Sequence, residues 1–577
     1  ASPFAPKDSM EEVAEEEGKD KEDKPKPAEE KAESKEGEEE EKEKPEEGEE
    51  KKLVEIDLDG IGERIVQAEG VAPGNYFRLE AVKGGFLYLK KDEHEFRKYQ
   101  NVNDHTGGKL DLYKYTLEDK ETKKVLAGIA NYHLSADGKK LVYRAGSQYG
   151  VVDVGADASV GDGAVDLSGV RIKVVREEEF LQIFNEAWRV QRDFFYDPNL
   201  HGVDWVAVGE KYRKFVPYCG NRSDLNYLIG EMIAELNAGH TYVWGGDVPD
   251  EAKRLPVGLL GARFEAEPGA SYYRIAHITP GTPWKADERS PLDEVGCPIE
   301  VGHYLIAIDG EEVTTADNIC SFLQNKADKV VTLTYNDKPS AEEAKTHRVK
   351  TLSSEMSIQY REWIDRNRAY VEEASNGEIG YLHIPDMGQA GLIEFAQVFF
   401  PHHYKKGFVI DERYNGGGFT SAMIIDRLER RLFALTQPRE GRPLHEPERV
   451  FYGHMVVVVN EDTGSAGEWF AEAVKTLKLC PILGMRTWGG AVGIEPHQPL
   501  VDGGIVTPPQ FAPYGADRRW LIEGRGVDPD IEVQNMPGDV LQGRDAQLQA
   551  AVEYLLDKLE KEPMRLPPPP PYEDKSK

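Results

Sequence analysis

Between residues 375 and 560 apolar strand-like runs alternate with amphipathic helix-like ones, and this alternation constrains the fold more than any other feature of the chain. GEIGYLHI, KGFVIDERY and HMVVVVN read as strands, while QAGLIEFAQVFF, SAMIIDRLERRL and SAGEWFAEAVKTL carry apolar residues at helical spacing. Strand following helix following strand predicts an α/β layer with a partly parallel sheet.

The rest of the chain does not continue that pattern, so the whole is expected to be a multidomain α+β protein. Residues 53–175 read as short strands broken by Gly, Asp and Lys turns, with Ser135 to Tyr143 (SADGKKLVY) as a hairpin turn feeding a strand. Repeats of that kind build β-propeller blades of about 40 residues, so this segment predicts about three blades, the end of a propeller. Residues 176–250 change to helical period (EEEFLQIFNEAWRVQRDFFYD, SDLNYLIGEMIAELN), with Ser223 as the expected N-cap and Gly239-His240 closing the module.

Residues 251–350 begin with Val257-Gly258-Leu259-Leu260-Gly261, followed by YYRIAHI, the turn Pro280-Gly281-Thr282-Pro283 and VGHYLIAIDGEEVTT. This order resembles a PDZ domain, with His303 where the family usually has Asp. The resemblance implies that the Val257–Gly261 loop receives a peptide carboxylate on its backbone N–H groups, beside a groove that binds extended peptide by strand addition. A small β-barrel without a ligand is the alternative. Residues 351–560 hold the α/β domain, and the Pro-rich tail 561–577 is expected to be extended.

Charge and composition narrow the partners. Residues 1–52 hold 22 Asp/Glu against 11 Lys/Arg, a third of the net charge of −33, with almost no large apolar side chains. Such a stretch is expected to be a disordered acidic linker. Acidity on this scale argues against nucleic acid, which needs basic patches. No apolar run approaches the roughly 18 residues of a membrane span, so no membrane partner is expected. The four cysteines (Cys219, Cys297, Cys320, Cys480) lack CxxC spacing, and the His402-His403 pair lacks a third ligand. Neither a metal nor any other cofactor is expected. The chain opens on Ala1, consistent with a piece of something longer.

Three places in the α/β domain have chemical potential. The strand HMVVVVN leads through Glu461-Asp462-Thr463-Gly464-Ser465-Ala466-Gly467 into a helix, which sets Ser465 at a helix N-terminus where an oxyanion can meet free N–H groups. Read alone, Ser465 serves equally as an N-cap. Arg413-Tyr414-Asn415-Gly416-Gly417-Gly418 is a second strand end, whose glycines allow close backbone approach to a substrate. A phosphate loop is its competitor, but no GK[ST] ending follows. The third is Glu523, within Trp520 to Asp530 (WLIEGRGVDPD), either a carboxylate that orients a histidine or an ordinary surface residue.

In order along the chain stand the blade-like segment, a helical module ending in His240, the PDZ-like domain, and an α/β domain bearing NGGG, G-S-x-G, Arg486-Thr487-Trp488-Gly489-Gly490 and Glu523…Asp530. Together they resemble the tricorn protease family, relatives of the C-terminal processing peptidases. The resemblance implies a crotonase-like βαβ catalytic domain and hydrolysis of oligopeptides, with Ser465 as nucleophile, His240 as base, Glu523 as its orienter, and the N–H groups of Gly418 and Ala466 as oxyanion hole. It also implies a homo-oligomer (hexameric rings in the family) and a cytoplasmic location, with export as the alternative. Two departures stand out: Gly239 replaces the serine that often precedes the histidine, and Ala466 replaces an aspartate of the archaeal enzyme. A Ser/Lys dyad, the rival in this clan, would need a lysine where Gly490 stands. In the archaeal enzyme an aspartate after the NGGG helix reads a basic P1 side chain. The corresponding stretch here, Phe433 to Pro443, has only Glu440 as an acid, so the comparison with that family implies a broader or apolar P1 preference. A catalytically silent PDZ/propeller scaffold is the other class of function, and it would predict loss of Ser465, His240 or Glu523.

Overall fold

The computed structural model describes residues 58–576 except 66, 73, 92–109, 156, 250–254, 283, 286–287 and 496–498. The expected acidic linker, residues 1–52, lies outside the described residues. The chain divides into two units, residues 1–172 and 173–577.

In the first unit β1 (Asn75–Val82), β2 (Gly85–Lys91), β3 (Leu110–Thr116) and β4 (Glu121–Ile129) form one antiparallel meander. A second consists of β5 (Asn131–Leu134), β6 (Lys140–Ala145) and β7 (Gln148–Asp153). The alternation of the strands buries Leu87 and Leu89 of β2 and Leu141 and Tyr143 of β6 in one core. The turn into β6 closes with the Ser135 N–H donating to the Lys140 carbonyl at 2.8 Å. Among the described residues, two sheets stand where about three blades were expected. The described residues before β1 form only a single 3-10 turn, Ile61–Arg64; its Ile61 and the flanking Leu58 and Ile65 are exposed and offer no buried strand face.

The second unit begins with α1 (Arg176–Phe194), α2 (Trp205–Arg213) and α3 (Arg222–Ala234), packed around Phe184, Ile229 and Met232. The cap of α3 is Asn221, not Ser223. Its Oδ1 accepts the N–H groups of Ser223 and Asp224, and Asp224 reaches back to the Asn221 N–H at 3.2 Å. This reciprocal pair satisfies the N–H groups of Ser223, Asp224 and Asn221 together. After β8 (Tyr242–Trp244) comes an antiparallel sheet of β9 (Ala262–Glu265), β10 (Tyr273–Ile278), β11 (Tyr304–Ile308), β12 (Glu311–Glu312), β13 (Val330–Asn336) and β14 (Lys345–Lys350). Its order is β14-β13-β11-β10-β9, with β12 on β11 and the short helix α4 (Ile319–Phe322) beside it.

The loop before β9 is not free to receive a carboxylate in the way the sequence suggested. The N–H groups of Gly258 and Leu259 donate to the carbonyls of Leu323 and Leu352, each at 2.8 Å. The N–H of Gly261 donates to Glu355 Oε1 at 2.7 Å. Three of the expected donors are thus spent inside the protein.

The helix α5 (Met356–Ala374) leads into a parallel sheet. Its strands are β15 (Ile379–His383), β16 (Gly407–Asp411), β19 (His454–Val459), β20 (Ile482–Gly484) and β24 (Ile531–Glu532), adjacent in that order. The helices α6 (Gln389–His402), α7 (Ser421–Leu428) and α8 (Ala466–Thr476) connect the first four, and the hairpin β17 (Ala434–Thr436)–β18 (Leu444–Glu446) follows α7. Phe408, Ile410, Val457 and Val459 point into the core shared with α6, α7 and α8, whereas Val409, Val456 and Val458 point to the opposite face. That face is covered by α5 and α10 (Ala546–Lys561), which follows the short α9 (Pro537–Leu541). Burial on both faces explains why HMVVVVN is apolar throughout.

Between β20 and β24 run β21 (Gly493–Ile494), β22 (Ile505–Thr507) and β23 (Pro509–Phe511). β22 pairs antiparallel with β8, setting Val506 opposite Val243. Beside it, Arg222 and Asp502 form a buried ion pair at 2.6 Å. The helical module is thereby joined to the α/β domain just beyond His240.

Candidate active site

Ser465 sits between β19 and α8 with φ 52° and ψ −121°. A non-glycine residue at positive φ stores strain, and a tight strand-to-helix turn of this kind pushes the side chain outward. Ala466 is the first residue of α8, so its N–H is among those that a helix leaves unpaired.

The turn is held from below by Glu468, which is fully buried. Its Oε2 accepts the N–H groups of Ser465 (3.1 Å) and Gly490 (3.0 Å). Its Oε1 accepts the Thr487 hydroxyl and the Gly489 N–H, both at 2.6 Å. Burial pushes this carboxyl above its ordinary range, and the four hydrogen bonds oppose that rise. Sequence reasoning missed Glu468; its position three residues after Ser465, as in a capping box, was the available signal.

The Asn415–Gly418 loop lies against Ser465. A Cβ on Gly417 would come within 2.6 Å of Ser465 Cβ and 2.8 Å of the Ala466 nitrogen, and one on Gly418 within 2.2 Å of the Met387 carbonyl oxygen. With φ values of 96° and 145°, both positions require glycine. Asn415 locks the loop: its Nδ2 donates to the Ile384 carbonyl and to Glu412, and its Oδ1 accepts the Gly417 N–H at 2.9 Å. The Asn415 carbonyl accepts the Gly464 N–H at 2.9 Å, which fixes the loop to the serine turn. Arg413, also buried, anchors the loop's base by pairing with Asp411 and Asp545.

His240 is partly buried, edge-on to Trp488 with ring centroids 5.6 Å apart. Trp488 in turn packs on the serine turn. Its N–H donates to the Thr463 carbonyl at 3.0 Å, and a Cβ on Gly464 would meet its ring at 3.0 Å. The Nδ1 of His240 lies 2.6 Å from the Val492 carbonyl oxygen. A carbonyl only accepts, so Nδ1 carries the hydrogen and Nε2 is left as the basic nitrogen of the neutral ring. Burial lowers the imidazole pKa, against smaller upward pulls from the Val492 carbonyl and Glu523.

The direct hydrogen bond from the imidazole to Glu523 that the resemblance implied is not formed; the Val492 carbonyl takes its place. Glu523 Oε1 accepts the Gly239 N–H at 2.8 Å, and Oε2 accepts those of Ala491 (2.9 Å) and Val492 (3.0 Å). The carboxylate thus clamps the backbone on both sides of the imidazole. It is presented by a strained turn: Ile522 has φ 68°, and the Glu523 N–H donates to the Leu521 carbonyl at 2.7 Å. The strap Thr487–Val492 is the common support, holding Glu468, His240 and Glu523. Ser465, Ala466, Gly418, His240 and Glu523 are drawn together by these links, while Val257–Gly261 belong to the PDZ-like groove.

Three family models match the chain. The Tricorn protease C1 domain covers residues 176–234, the Tricorn protease PDZ domain 258–354, and Peptidase family S41 378–533. A Tricorn-like protease C-terminal subunit of Sulfurisphaera tokodaii is 35% identical over 88% of this chain and 58% of its own length. The tricorn protease of Thermoplasma acidophilum is 33% identical over 85% of this chain and 45% of its own. A crystal structure of the tricorn protease superposes with a TM-score of 0.76 at 32% identity, covering 85% of this chain and 47% of that one. The chain spans about half the length of the curated relatives it matches.

Proposed function

The chain belongs to the tricorn protease family, and on that premise we propose that it is a serine peptidase acting through Ser465, His240 and Glu523. The observation that carries the reading is Ser465 itself, strained at the first turn of α8 with the backbone of Gly417 against it. His240 Nε2 takes the proton of Ser465 as Oγ attacks a peptide carbonyl, and returns it to the leaving amine. Hydrogen bonds of this type often tighten only when substrate binds. The oxyanion is held by the N–H groups of Gly418 and Ala466, each worth about 3–4 kcal/mol in the transition state.

Glu523 acts as a positioning residue. It fixes the Val492 carbonyl that selects the tautomer, and its charge stabilises the imidazolium from beyond the Gly239 peptide. The dyad reading loses ground further, because a Cβ at Gly490, where a lysine would have to stand, would come within 2.3 Å of the Trp488 ring. The family reading extends to oligopeptide substrates, a homo-oligomeric ring and a cytoplasmic location. No helix among the described residues is long and apolar enough to cross a membrane. With Glu440 the one acid of Phe433–Pro443, P1 preference is not confined to basic residues.

Labelling with a fluorophosphonate tests the reading. Ser465 should be modified in the wild type, and Ser465→Ala should abolish labelling. Modification at another serine, or none, would refute it.

A further inference from the structure

The PDZ-like groove is open along one side and closed at its end. Among the described residues β9 is the edge of its sheet, paired with β10 alone, so its outer row of N–H and C=O groups has no strand partner there. Against it lies a cavity of about 620 Å³ whose lining mixes apolar residues (Ala262, Phe264, Leu323) with the charged Arg263, Asp317 and Glu355. An edge strand above such a groove is the arrangement that accepts an added extended peptide.

The end of the groove is where a free peptide terminus would have to be read, and there the chain has placed its own carboxylate. Glu355 Oε1 takes the Gly261 N–H at 2.7 Å, while Oε2 accepts Gln359 Nε2 at 3.1 Å. The neighbouring N–H groups of Gly258 and Leu259 are spent on carbonyls. A ligand's α-carboxylate would meet a like charge and donors already in use, which disfavours it. A mid-chain peptide bond carries no such charge.

We propose that this groove takes an extended internal stretch of a polypeptide and discriminates against a free C-terminus, with Glu355 as the excluding residue. The proposal deepens the peptidase reading, on which it rests for the peptide class of ligand. It means that this groove holds a polypeptide along its length and does not read its C-terminal end.

The test uses the full chain carrying Ser465→Ala, so that nothing is cut. Decapeptides randomised over Ala, Val, Leu, Phe, Ser and Lys are offered as two pools, one N-acetylated and C-amidated, the other N-acetylated with a free carboxylate. Binding is read by fluorescence anisotropy, and its place by hydrogen-exchange protection of residues 262–265. The capped pool should protect β9 and bind at least as well as the free-acid pool. Glu355→Ala, or Glu355→Gln if the alanine variant misfolds, should improve free-acid binding about tenfold with little change for the capped pool, the scale of one charge-assisted hydrogen bond. Tighter binding of the free acid by the parent, no protection of β9 by either pool, or an unchanged ratio in the Glu355 variants would overturn it. Fluorophosphonate labelling of the chain with Ser465 intact reads the peptidase assignment separately.

Discussion

Glu523 meets Gly239, not the neighbouring imidazole: the Gly239 N–H donates to its Oε1 at 2.8 Å, and the other oxygen holds two N–H groups of the strap that supplies the Val492 carbonyl. The carboxylate therefore governs His240 through the main chain on either side of it. This arrangement predicts what changes at both residues will do.

Glu523→Gln sets an amide NH₂ against backbone donors. Leaving such groups unmatched costs about 1–3 kcal/mol, so kcat should fall roughly 10–100-fold, less than for loss of Ser465 or His240. Steady-state kinetics on an oligopeptide check this. Wild-type kcat would contradict the clamp.

Gly239→Ser should be accommodated. A Cβ there would lie 3.7 Å from Glu523 Oε1 and 4.0 Å from the Gly489 carbonyl oxygen, and Gly239 is not in the left-handed region. Stability should stay within about 0.5 kcal/mol, and the hydroxyl gains Glu523 as a partner. We expect kcat/KM at or above wild type; a tenfold loss in a stable variant would count against the geometry.

Glu468→Ala removes the partner of three backbone N–H groups and the Thr487 hydroxyl in a buried place. It should destabilise the fold by about 3 kcal/mol or more in urea unfolding. Activity at a temperature where the variant is still folded should drop over a hundredfold, since the serine turn and the strap lose their link. Retention of activity would show that the turn holds itself.

The pH profile follows from His240. The base must be neutral, and burial lowers its pKa below the ordinary histidine value of about 6.5. As pH falls the ring therefore stays unprotonated longer than a free imidazole would, and the acid limb of kcat/KM should lie below about 6.5. A limb well above that value would mean that Glu523 outweighs burial.

The strands of the α/β domain were legible as continuous apolar runs and its helices by their period, and Ser465 because Gly and a helix start flank it. The path from Glu523 to His240 was not. It runs through N–H and C=O groups, which every residue carries, so no side chain at Val492 or Gly239 could announce it. Ile522 in a left-handed turn contradicts its β-branched preference and left no signal either. In the Val257–Gly261 loop the Gly261 N–H is taken by Glu355, and those of Gly258 and Leu259 by the Leu323 and Leu352 carbonyls, all from residues more than sixty positions later in the chain. Before β1, the described Leu58, Ile61 and Ile65 are exposed, which the sequence pattern alone did not distinguish from a strand face.

The most direct test of the account is kcat for Ser465→Ala and His240→Ala on an oligopeptide, with folding verified by circular dichroism. Each should lose nearly all turnover, and the double variant should lose little more, because the two act as a unit. If His240→Ala kept near-wild-type kcat while Ser465→Ala lost it, the histidine would not be the base and the account would fail.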